Sequence, residues 1–81
     1  MVKVRTSDNF EKVLNKIDNN VKIQLNKAIL KIINSPEIGK HMKFERKGTR
    51  EIYVGSFRLS YSYDKGIDTL YLLDLYHKDK Q

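Results

Sequence analysis

Cysteine and tryptophan are absent from this 81-residue chain, and proline occurs once. Without cysteine neither a disulfide nor a thiolate metal site can form, a composition suited to a reducing cytoplasm. No apolar run approaches the roughly 20 residues of a membrane span. The opening Met1-Val2-Lys3-Val4-Arg5 also lacks the apolar centre of a signal peptide. The expectation is a soluble cytoplasmic protein without a membrane partner. Histidine is scarce, at two residues, and no carboxylates recur at ligand spacing, so neither metal nor cofactor is expected. Gly39, Gly48, Gly55 and Gly66 fall singly at predicted turns, which leaves no glycine-rich phosphate loop. Nor does any Ser-His-Asp arrangement appear.

Negative charge is the other shortage: 16 Lys and Arg face 10 Asp and Glu, a formal charge of +6. The excess is concentrated. Between residues 40 and 58 stand Lys40, Lys43, Arg46, Lys47, Arg50 and Arg58, opposed only by Glu45 and Glu51. Positive charge focused on one region points to a polyanionic partner, either nucleic acid or an acidic protein segment.

A chain of this length makes one domain, residues 1–81, with a modest core of helix packed on sheet. Val2 to Arg5 alternates and predicts an edge strand. Ser7 or Asp8 is placed to cap a helix in which Phe10, Val13, Leu14 and Ile17 share one face. A turn at Asp18-Asn19-Asn20 leads to a longer helix carrying Val21, Leu25, Ala28, Ile29, Ile32 and Ile33. Pro36 ends it by disfavouring helical geometry at Ser35. The two helices are expected to form an antiparallel hairpin with an apolar seam. The rest is strand-like, weakly so near Met42 to Glu45 and then strongly. Arg50 to Val54 and Phe57 to Tyr63 form a hairpin around Gly55-Ser56. A turn at Asp64-Lys65-Gly66 precedes a last strand from Ile67 to Tyr76. In that strand Tyr71, Leu73 and Leu75 fit the core face, with Leu70 and Leu72 on the other. The fold class is α+β: an N-terminal strand and a two-helix hairpin packed on a sheet of three or four antiparallel strands.

Residues 50–63 hold the chemistry. Phe57, Leu59, Tyr61 and Tyr63 alternate onto one face and Arg58, Ser60 and Ser62 onto the other. In the preceding strand Glu51 and Tyr53 interleave with Ile52 and Val54. An arginine, a carboxylate and a phenol on one sheet face can bind and cleave a phosphodiester. On alternation alone, Arg58 can equally serve as an exposed strand arginine paired with Glu51 across the hairpin.

The stretch Arg-Glu-Ile-Tyr-Val-Gly-Ser-Phe-Arg-Leu-Ser-Tyr, set after a helical hairpin closed by Ser-Pro and before an apolar strand ending in His-Lys-Asp-Lys, resembles the RelE/ParE toxin superfamily. The specific residues lie in 51–61 and 76–80. The resemblance implies the RelE-like, microbial-RNase-type fold and the toxin of a type II toxin–antitoxin system. It implies ribosome-dependent cleavage of mRNA, in which a 2′-hydroxyl attacks the adjacent phosphate without a metal. Its partners would be a cognate acidic, RelB-like antitoxin, the ribosome and mRNA. Carried over by position, Arg58 matches the phosphate-binding arginine. His77 and Lys78 match the C-terminal basic pair. Glu51 and Tyr53 stand where RelE proper has two lysines. Glu51 with His77 is then the candidate pair for proton transfer, with Lys78 assisting. The usual C-terminal aromatic that stacks on a base has no counterpart, a place that Tyr76 or Tyr53 can take. The basic loop with Lys43, Arg46, Lys47 and Arg50 resembles the rRNA-contacting surface. The missing lysines leave a second reading open, a ParE-like inhibitor that binds a target such as DNA gyrase without nuclease chemistry. A third is a decayed toxin that binds only its antitoxin.

Overall fold

The computed structural model describes residues 2–41 and 48–77, and these form a five-stranded mixed sheet with two helices. In chain order the elements are β1 (Lys3–Thr6), α1 (Asp8–Leu14), α2 (Asn19–Asn34), β2 (Lys40–His41), β3 (Arg50–Val54), β4 (Phe57–Asp64) and β5 (Thr69–His77). The strand order is β1-β5-β4-β3-β2. Every neighbouring pair is antiparallel except β1, which joins the edge parallel to β5. The class expected from the sequence is therefore present, and the N-terminal strand makes the sheet mixed.

Local chemistry accounts for the helix ends. Ser7 caps α1, its hydroxyl accepting the Phe10 amide at 3.0 Å, and Asp8 and Glu11 place negative charge in the first turn. Asp18, expected as a turn residue, caps α2 by accepting the Val21 amide at 2.9 Å. The residue before Pro36 leaves helical geometry, with Ser35 at φ −144° and ψ 78°, and α2 stops at Asn34. Helix α1 ends at Leu14, a turn earlier than the apolar period predicts. The Lys16 amide closes a turn on the Val13 carbonyl, and Ile17 reaches the core from outside the helix.

The two helices pack on the sheet, as the fold class expects. Helix α1 packs on β5 and α2 on β3, so both apolar faces turn to the sheet. Phe10, Leu25, Ala28 and Ile32 meet Val54, Leu59, Tyr61, Leu70, Leu72 and Leu75 in one buried cluster. At roughly 1.5–3 kcal/mol per buried large apolar side chain, this cluster is the main source of stability.

One irregularity sets the geometry of the far end of the sheet. Between Ser60 and Tyr61 the β4–β5 register shifts: Ser60 faces Asp74 while Tyr61 faces Leu72, leaving Leu73 as an extra residue in β5. A bulge of this kind leaves backbone groups outside the ladder. They are taken up at the β1–α1 junction, where the Ser7 amide bonds the Leu72 carbonyl at 3.0 Å and the Ser7 hydroxyl donates to the Leu73 carbonyl at 2.5 Å. The bulge overturns the face assignment made for this strand. Leu70 and Leu72 are buried in the core and Tyr71 and Leu73 are not. Leu75 beyond the bulge regains the core face.

Candidate active site

The hairpin of β3 and β4 turns on Gly55-Ser56. Gly55 has the left-handed φ of 60° that two-residue hairpin turns ask of their first central residue. The register follows from that turn. Val54 pairs with Phe57, Tyr53 with Arg58, Ile52 with Leu59 and Glu51 with Ser60. Paired residues share a face, so Ile52, Val54, Phe57 and Leu59 turn toward the helices. Glu51, Tyr53, Arg58 and Ser60 occupy the opposite face. On β5, Arg58 faces Tyr76 and Phe57 faces His77.

Arg58 is the centre of the polar face. Its guanidinium lies 3.5 Å from the Glu51 carboxylate, donates to the Tyr53 hydroxyl at 3.4 Å, and sits 5.1 Å from the centre of the Tyr53 ring. The side chain of Glu51 is only 6% exposed, against 27% for Arg58. A carboxylate this buried needs partners to offset its lost hydration. It has Arg58 on one side and, on the other, the hydroxyl of Tyr76, which donates to Glu51 Oε2. The Arg58 Nε is buried and makes no hydrogen bond among the described residues. Tyr53 is 68% exposed and forms the outer wall. With Lys40, Glu51, Ile52 and Arg58 it lines a recess of about 80 Å³.

The residues expected to act together are thus divided. Arg58, Glu51 and Tyr53 come together. His77 does not join them: it lies on the helix side of the sheet, edge-on to Phe57 at 5.4 Å between ring centres. The bulge at Leu73 is the cause. Counted without it from the β4–β5 turn, Arg58 would face Leu75 and His77 would share the arginine's face. One extra residue puts Tyr76 there instead. Tyr76 entered the sequence reading only as a stacking ring, and its bond to Glu51 depends on a register that the sequence does not display. Lys78, Lys43, Arg46 and Lys47 lie outside the described residues. Arg50, expected on the RNA-contacting surface, donates through Nη1 to the carbonyls of Glu37 at 3.1 Å and Gly39 at 3.0 Å, tying down the segment after α2. Among the described residues no three His, Asp or Glu side chains cluster to hold a metal ion, and no helix is long and apolar enough to cross a membrane.

No protein-family model and no curated protein matches the chain. Solved structures do match. The toxin–antitoxin complex RelBE2 of Mycobacterium tuberculosis aligns with a TM-score of 0.84 at 23% identity, over 95% of this chain and 98% of that one. The intact RelBE toxin–antitoxin complex of E. coli gives 0.82 at 18%, over 95% and 96%. The YoeB/ParE toxin of Agrobacterium tumefaciens gives 0.82 at 13%, over 94% and 98%. The chain has the RelE/ParE toxin fold, in agreement with the resemblance carried by residues 51–61.

Proposed function

We propose that this chain is the toxin of a type II toxin–antitoxin pair and acts as a metal-independent endoribonuclease on mRNA in the ribosome. The observation that carries the reading is Arg58, held on the open sheet face between Glu51 and Tyr53. A planar fork of N–H donors fits the oxygens of a phosphate, and its charge offsets the extra negative charge of the pentavalent phosphate. Glu51, beside Arg58, is an acceptor placed to take the 2′-hydroxyl proton, a contribution typically worth ~10²–10⁴ in rate. The exposed Tyr53 ring offers a surface on which a base can stack.

The partner expected for this toxin is an acidic, RelB-like antitoxin. Charge supports it: α2 carries Lys22, Lys27 and Lys31 and no acidic residue, beside exposed Ile23 and Leu30. The test is a cell-free translation reaction with purified protein, in which mRNA 3′ ends are mapped with and without ribosomes. Cuts inside A-site codons that need ribosomes and vanish in Arg58→Ala support the reading. Intact mRNA with translation continuing refutes it.

A second reading, a ParE-like inhibitor that works by binding alone, is favoured by two observations. Arg58 is already paired with Glu51, and His77 is on the far face. A DNA gyrase supercoiling assay separates the two.

A further inference from the structure

We infer that Tyr76 is the proton donor to the leaving 5′-oxygen and that Glu51 and Tyr76 work as one proton-sharing pair. The inference rests on the endoribonuclease reading above and assigns the acid that His77, on the other face, does not supply. Tyr76 stands directly across from Arg58 on β5, and Tyr53 directly across from it on β3, so the arginine is flanked by two phenols. The Tyr76 side chain crosses β4 beside Ser60, whose short side chain leaves room, and its hydroxyl donates to Glu51 Oε2. The other oxygen of Glu51 faces Arg58 Nη1. One carboxylate therefore touches both the phosphate-binding cation and a phenol, and the three side chains converge where a scissile phosphate would meet Arg58.

The proton inventory closes. The 2′-oxygen forms a bond to phosphorus and its proton passes to Glu51. The bond from phosphorus to the 5′-oxygen breaks, its electron pair stays on that oxygen, and the Tyr76 hydroxyl proton neutralises it. Glu51 then returns its proton to the Tyr76 oxygen. The products are a 2′,3′-cyclic phosphate and a 5′-hydroxyl, and the protein ends as it began. A carboxylate that only accepts and a hydroxyl that donates are divided between the two ends of the reaction, as a concerted displacement needs.

The experiment compares two mRNAs on programmed ribosomes, one natural and one with sulfur replacing the 5′-oxygen at the mapped cut. A thiolate leaves without a proton. Tyr76→Phe is expected to slow cleavage of the natural linkage by ~10²–10⁴ and to cut the sulfur linkage at close to the wild-type rate. Arg58→Ala and Glu51→Gln should stay slow on both. In Tyr76→Phe the urea midpoint should fall, because the buried Glu51 carboxylate loses one of its partners, and the restored cleavage of the sulfur linkage separates that structural loss from the loss of a proton donor. Tyr76→His, which keeps an N–H donor, should retain more cleavage of the natural linkage than Tyr76→Phe. Equal slowing of both linkages by Tyr76→Phe overturns the assignment and leaves Tyr76 a structural residue. So does unchanged cleavage of the natural one. Wild-type protein that cuts neither mRNA refutes the endoribonuclease reading itself, a failure distinguishable because it precedes any effect of Tyr76.

Discussion

Replacing Tyr61 by phenylalanine removes a single oxygen from the most enclosed point of the fold. The Tyr61 ring is 0% exposed, and its hydroxyl accepts the Gly39 amide at 2.8 Å while donating to the Pro36 carbonyl at 2.9 Å. Those bonds, with the two from Arg50, fix the segment between α2 and β2 and so place Lys40 beside Glu51. Phenylalanine fills the same volume, so no cavity opens. The loss is a buried N–H left without a partner, about 1–3 kcal/mol, plus a hydrogen bond to a half-buried carbonyl, about 0.5–1.5 kcal/mol. A total near 2–4 kcal/mol is a large share of the roughly 4–12 kcal/mol expected for a domain of this size. It corresponds to a fall in Tm of roughly 10–30 °C. Urea unfolding followed by circular dichroism should show a lower midpoint with an unchanged slope. The same variant tests the alkaline limb of stability. Burial pushes the Tyr61 hydroxyl above its ordinary pKa of 10.0, an effect only partly opposed by the bond from Gly39 and the charge of Arg50. Above pH 10 the unfolded chain loses this proton while the native state keeps it. The contribution is therefore complete below pH 10 and disappears as pH rises through the native value. Tyr61→Phe should flatten that part of the curve, leaving the part due to Tyr63, whose pKa is also raised, first by its bond to Asp68. A loss below about 0.5 kcal/mol, within the range of an ordinary surface substitution, would show that the hydroxyl does not hold the segment and refute the reasoning.

Gly39→Ala should produce a related defect, because a Cβ there would lie 2.5 Å from the Tyr61 hydroxyl and 2.8 Å from its ring. The expected cost is about 1–3 kcal/mol, and in the Tyr61→Phe background it should be smaller, a coupling that a double-mutant cycle measures. Ser7→Ala removes both a helix cap and the donor to the bulge carbonyl. A loss of about 0.5–2 kcal/mol in urea is expected for the cap alone, and ribosome-dependent cleavage should fall with it if the bulge holds Tyr76 in place. Arg58→Lys keeps the charge and loses the fork. Cleavage should drop by one to two orders of magnitude, following the roughly 1.5–3 kcal/mol of a hydrogen bond to a charged group, in the same 3′-end assay.

Some of the site could be read directly because it depends on local pattern. The two-residue turn at Gly55-Ser56 fixes which residues of β3 and β4 are paired. Arg58, Glu51 and Tyr53 were therefore placeable on one face from alternation, and so was the ion pair between the first two. The second helix was legible from its period and from Pro36. The first helix was overextended because Ile17 keeps the apolar period while lying past the end at Leu14. Arg50 was expected on an RNA-contacting surface, and its role in tying down the segment after α2 was not foreseen. Its partners are the backbone carbonyls of Glu37 and Gly39, which no side-chain pattern reports.

The sequence by itself determined the elements, their order, the hairpin turn and the arginine's face, since each follows from chemistry within a few residues. The tertiary structure alone decided which aromatic joins that arginine. A strand's faces exchange with every residue of register, and the extra residue of β5, Leu73, has its carbonyl bound by Ser7, 66 positions away. That distant bond accommodates the extra residue in β5, carrying Tyr76 to Glu51 and His77 to Phe57.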